Sequence, residues 1–127
     1  MPNVHRRPVH LNLFLIRMPV PAVMSIAHRA SGVLMVLLTP ALIFALQRSV
    51  SGAAGFAEVR QWFSGGLAPV VLFLLAWALL HHLFAGLRHL ALDLDIGVDK
   101  PIERATAWMV LVGAPVVALL ILLVTLV

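Results

Sequence analysis

The chain of 127 residues contains no cysteine. That absence excludes disulfides, thiolate-held iron–sulfur clusters and covalent attachment of a c-type heme through this chain, so any redox centre must use other ligands. Charge is scarce as well: Lys, Arg, Asp and Glu together make up 11% of the sequence, against 62% hydrophobic residues. A soluble fold of this length cannot hide so much apolar surface. The net charge of +4 does not point to nucleic acid, because the basic residues flank apolar segments instead of forming a stripe. There is no internal repeat and no low-complexity tail.

What is present is a set of long runs without any charged residue. Crossing the hydrocarbon core of a bilayer takes about 20 mostly apolar helical residues, and residues 30–46, 65–87 and 105–127 approach or exceed that length. The expected fold is all-α: an integral membrane protein with three transmembrane helices in an up-down-up bundle, forming one domain over residues 1–127. Its parts are an arm at 1–21 and spans at 22–47, 65–90 and 104–127. The N-terminus is basic at His5, Arg6 and Arg7, but the uninterrupted apolar run begins only at Ala30, too deep for a cleaved signal peptide. The first span is therefore expected to be retained.

Three spans put Arg6, Arg7, Arg17, Arg29, Arg88, Lys100 and Arg104 on one side, and only Arg48 and Arg60 on the other. The positive-inside rule then places the N-terminus and the second loop in the cytoplasm and the C-terminus outside. In the first loop Phe56, Val59, Trp62 and Phe63 recur at helical spacing, which predicts a short interfacial helix. In the arm, Leu11, Leu13, Phe14, Leu15 and Ile16 form an apolar patch too short to span, with Pro19 and Pro21 expected to punctuate it before the first helix. Pro40 and Pro115 fall inside spans, where they are expected to kink the helices, and Pro69 falls in a first turn.

Ionisable residues in or beside a span are costly enough that each calls for a reason. They form two clusters. Ser25, His28 and Arg29 stand at i, i+3 and i+4 on one helix face. They offer either a hydroxyl, an imidazole and a cation to one ligand, or a boundary cation beside a hydroxyl bonded to its own backbone. The second cluster is His81, His82, Gly86, Arg88, His89 and Asp93. His82, Gly86 and His89 share a stripe, with the glycine placed where a flat group such as a porphyrin can approach the backbone. The alternative is that one histidine bonds a neighbouring helix carbonyl and the other sits at the interface. His82 and His89 are separated by roughly 10 Å of helix rise, so both cannot ligate one iron. Taking Arg29 and Arg88 as one boundary, His82 lies roughly 9 Å deeper and His28 stays at the boundary. A bis-histidine heme would then need its other ligand from a different polypeptide. His81 points about 100° from His82 and is expected at a helix contact or the lipid boundary. Arg29, His28, Arg88 and His89 are candidate propionate contacts, with an ordinary boundary anchor as the other reading of Arg88. Asp93, Asp95, Asp99 and Glu103 read as a solvated loop.

These residues resemble the cytochrome b membrane-anchor subunits of succinate dehydrogenase, the larger of the two small hydrophobic subunits. One family motif is matched from Arg7 and Pro8 through Ser25, His28 and Arg29 to Ser31. A second is matched by His82, Gly86, Arg88, His89 and Asp93, with Leu92 standing where an aromatic or Met is usual and Asp95 where a small residue is usual. The resemblance covers the whole chain. It implies that His82 is an axial ligand of a b-type heme shared with a second hydrophobic anchor subunit, and that Ser25 and Arg29 bind ubiquinone next to an iron–sulfur subunit. Succinate is oxidised, by the same implication, in a flavoprotein subunit, so no succinate-oxidising site is expected here. The implied location is the bacterial cytoplasmic membrane.

Competing readings are the anchor of a fumarate-reducing complex, a heme-free scaffold, and a transporter subunit using His82 as a relay. A relay needs polar residues through the membrane depth, yet span three has only Thr106 and Thr125 besides its tryptophan. His82 argues against a heme-free anchor. One deep histidine on three spans argues against a single chain holding two hemes.

Overall fold

The computed structural model describes residues 17–126, the side chain of the last one excepted. The apolar arm patch at Leu11–Ile16, and Arg7 and Pro8 of the first motif, lie outside the described residues. Four helices follow in order: α1 (Val20–Val50), α2 (Ala53–Trp62), α3 (Ala68–Asp93) and α4 (Lys100–Leu126). Three of them, α1, α3 and α4, are long and apolar enough to cross a membrane. They pack against one another as an antiparallel bundle, and α2 folds back on α1. The all-α membrane architecture expected from the charge-free runs is the one observed.

The helix ends follow from local chemistry. Pro19, extended at φ −66° and ψ 152°, caps α1 without a side-chain bond, and its carbonyl accepts from the N–H groups of Ala22 and Val23. Pro21 does not separate an arm from the helix. It lies inside the first turn, where a missing N–H costs nothing because first-turn N–H groups have no intrahelical partner. Helix α1 therefore starts before residue 22, and it and α4 continue unbroken through Pro40 and Pro115. At the other end of α3 the N–H of Ile96 reaches Ala91 O at 2.9 Å and the N–H of Asp95 reaches Leu92 O at 3.0 Å. This is the Schellman stop, with its left-handed residue at Asp95, φ 59°. Aspartate is among the few residues other than glycine that tolerate that conformation, so Asp95 suits this position.

The short helix expected in the first loop is present as α2. Trp62 stacks on Phe44 of α1 with ring centroids 6.0 Å apart, and Arg48 pairs with Glu58 at 2.7 Å.

The spans meet through small residues. Ala78 and Ala85 on α3 and Ala107, Ala114 and Ala118 on α4 are all 1% exposed or less. Without a hydrophobic driving force inside a bilayer, helices gain by close van der Waals approach, which alanine permits. The buried stripe of α3 reads Ala78, His81, Ala85, Arg88, an i, i+3, i+7, i+10 pattern. Met24 and Ser31, seven residues apart on α1, are fully buried opposite it.

Candidate functional site

Both histidine clusters meet where α1 crosses α3. Each helix carries a histidine followed four residues later by glycine: His28 and Gly32 on α1, His82 and Gly86 on α3. Because the helices are antiparallel, each ring lies over the other helix's glycine. A Cβ on Gly86 would sit 3.8 Å from His28 Nε2, and a Cβ on Gly32 would sit 2.9 Å from His82 Cε1. The His28 ring is 4.2 Å from that of His82 and stacks at 5.1 Å on that of His89. One continuous imidazole row therefore runs along the seam.

This arrangement corrects one expectation. The group lying over Gly86 is the ring of His28, not an open space for a macrocycle. The His28 ring lies beside Gly86 and 4.2 Å from the His82 ring, so the two imidazoles are direct neighbours. Rings 4.2 Å apart leave no room for a metal and its macrocycle between them.

The polar contacts define what His82 can do. Its Nδ1 is 3.2 Å from the main-chain oxygen of His28, an acceptor, so Nδ1 carries the proton and donates. Ser31 Oγ also donates to that oxygen at 2.7 Å and stands 3.4 Å from His82 Nδ1. No hydrogen bond among the described residues engages His82 Nε2. His89 Nδ1 likewise donates to Ala85 O at 2.7 Å, within its own helix. His28 Nε2 is buried and has no partner.

His81 is 1% exposed, packed near Trp77 at 5.5 Å between ring centroids, with both nitrogens unpartnered. It is a helix contact, one of the two positions that its angle from His82 allowed. Arg88 turns away from the imidazole row: its Nε donates to Thr106 Oγ1 at 3.1 Å, and its Nη2 donates to Glu103 O at 3.0 Å and lies 3.7 Å from Glu103 Oε1. Glu103, expected in a solvated loop, is thus one of its partners.

An open cleft of about 480 Å³ borders the row, lined by His28, Arg29, Gly32, Val33, Val36, Leu37 and His82. Arg29 is exposed and Ser25 half-buried a turn away. No cluster of three or more metal-ligating side chains occurs among the described residues. The set fits one face of a heme: one imidazole with its second nitrogen uncommitted, an apolar wall, and a cation at the rim.

Sequence reasoning did not assign Ser31 or Gly32 to the site, nor Thr106 as the partner of Arg88. The repeated histidine–glycine spacing, present in both His28–Gly32 and His82–Gly86, was the available signal for Gly32.

Fold and site together define a multi-pass membrane protein with a row of imidazoles packed between two of its spans. A family model described as succinate dehydrogenase/fumarate reductase transmembrane subunit matches residues 3–123, and the chain belongs to that family. It is 36% identical over 108 residues, 84% of this chain and 86% of the other, to the succinate dehydrogenase cytochrome b556 subunit of Coxiella burnetii (strain RSA 493 / Nine Mile phase I). It is 32% identical over 130 aligned positions, 98% of this chain and 97% of the other, to the protein of the same name from Paracoccus denitrificans.

Proposed function

We propose that this chain is the heme- and ubiquinone-binding membrane anchor of a succinate:quinone oxidoreductase in a bacterial cytoplasmic membrane, with its arginine-rich end facing the cytoplasm. The observation that carries the reading is the commitment of His82 Nδ1 to the His28 carbonyl. A ligating histidine ordinarily donates its other N–H to such an acceptor, which fixes the tautomer and leaves the opposite nitrogen for the metal.

His82 Nε2 would hold a b-type heme, with Arg29, His28 and His89 near its propionates. Arg88 is spent on α4. The row offers no second imidazole across the cleft, so the other axial histidine comes from a second anchor subunit. That subunit also covers Val33, Val36 and Leu37, which are 60%, 72% and 70% exposed. A heme with two imidazole ligands supplies one-electron chemistry without an open coordination position.

Ser25 and Arg29 bind the quinone. The Ser25 hydroxyl donates to a carbonyl oxygen, and the Arg29 guanidinium stabilises the negative charge that develops on that oxygen during reduction, an interaction strengthened where water is scarce. The electrons arrive from succinate oxidised in a flavoprotein subunit, through an iron–sulfur subunit docked at this end.

A reduced-minus-oxidised optical spectrum of the purified complex, with and without His82→Ala, tests the reading. The expected result is a b-type heme signal lost or strongly perturbed in the variant. A variant spectrum identical to the parent's removes His82 as the ligand.

A further inference from the structure

The imidazole row contains a positioning device that the ligand assignment does not require. His82 Nδ1 donates to His28 O at 3.2 Å, and Ser31 Oγ stands 3.4 Å from the same nitrogen. Ser31 is fully buried and its own proton is already given to the same carbonyl at 2.7 Å. The hydroxyl and the imidazole therefore compete for the electron density of one main-chain oxygen. That competition tempers the imidazole N–H···O bond, which is longer than the serine's by the difference between 3.2 and 2.7 Å.

Gly32 sets how closely the ring approaches. A Cβ there would lie 2.9 Å from His82 Cε1 and 3.2 Å from His82 Nδ1, so any side chain drives the ring off the carbonyl. Gly86, the matching glycine on α3, is under no such constraint, because a Cβ there meets only an ordinary contact at 3.8 Å. The two glycines look equivalent in sequence. Only one of them controls the hydrogen bond of His82.

We propose that Ser31 and Gly32 are positioning residues that set the strength of the His82 Nδ1–H bond to the His28 carbonyl and thereby the reduction potential of the iron that His82 would ligate. The inference rests on the function proposed above. A stronger Nδ1–H bond places more negative charge on the imidazole and raises its basicity, which favours the ferric state. A weaker bond favours the ferrous state. Gly32→Ala weakens the bond by displacing the ring. Ser31→Ala strengthens it by removing the competing donor. The two substitutions therefore act in opposite directions.

Redox titration of the heme in the assembled complex tests this, with parent, Gly32→Ala, Ser31→Ala and Gly86→Ala compared and heme content measured for each. The expected result is a midpoint potential shifted positive in Gly32→Ala and negative in Ser31→Ala, while Gly86→Ala stays with the parent. If Gly32→Ala assembles without heme, the sign in Ser31→Ala decides alone. Potentials unmoved in Ser31→Ala, shifts of the same sign in both variants, or a Gly86→Ala shift equal to that of Gly32→Ala overturn the proposal, since a packing effect alone produces those patterns. Failure of the underlying function shows separately, as a parent complex without a b-type heme or a heme indifferent to His82→Ala.

Discussion

The two ends of this bundle are built on different terms. At the arginine-rich end lie the buried polar residues among those described: Ser31, His81 and Arg88 at 0%, 1% and 9% exposure, set among alanines and Met24. At the other end α1, α3 and α4 part around an apolar cavity of about 420 Å³ lined by residues such as Leu38, Leu42, Leu72, Leu75 and Leu122. The hydroxyls there serve only their own helices, Thr39 bonding Met35 O and Thr125 bonding Leu122 O, each at 2.8 Å. One end fixes side chains against specific partners and the other provides hydrophobic length.

The sharpest way to break that contrast is to remove the charge that the proposed chemistry uses. Arg29→Leu is expected to lower quinone reduction by on the order of 100-fold, the scale on which a single group stabilising developing charge acts. Ser25→Ala, deleting one neutral hydrogen bond, is expected to cost about 10-fold. Succinate oxidation by an artificial acceptor is the control and should be unchanged in both. Equal loss of the two activities would mean that these residues assemble the complex and do not touch quinone.

Much of the fold was legible because charge-free runs and flanking arginines report membrane spans directly. The deep histidine was legible too, since an imidazole in such a run stands out. The partner of each side chain was not. His82 and His81 are adjacent in sequence, and which of them enters the seam depends on the rotational phase of α3 against α1, which single-helix periodicity leaves open. The role of Ser31 needed the three-dimensional coincidence of its hydroxyl, a carbonyl on its own helix and a ring from another.

A second test compares the arginines at the two ends. Arg88 has an 8% exposed side chain bonded to Thr106 and Glu103 across the α3–α4 seam, whereas Arg48 and Glu58 pair at 50% and 41% exposure. Hydrogen bonds from a charged, buried donor are worth about 1.5–3 kcal/mol, and an exposed pair about 0–1 kcal/mol. Arg88→Leu is therefore expected to lower the thermal midpoint of the complex in detergent well beyond Arg48→Leu. Equal shifts would show that the buried guanidinium is no more than a boundary charge.

The smallest effect separates the two ends by packing alone. Ala85, fully buried among Met24, Ala107 and Val110, has no room for added carbons. Ala76, on the same helix, lines the apolar cavity. Inserting methylenes into a filled core costs about 1–3 kcal/mol through forced rotamers and backbone shifts. Inserting them into an apolar void costs little and gains dispersion contacts that the lining otherwise lacks. Ala85→Leu is expected to destabilise by that amount and Ala76→Leu to be neutral or slightly stabilising, both read as midpoint shifts in the detergent-solubilised complex. If Ala76→Leu proves as damaging as Ala85→Leu, the cavity is closed or filled in the assembled complex, and the loose end is a property of the lone chain.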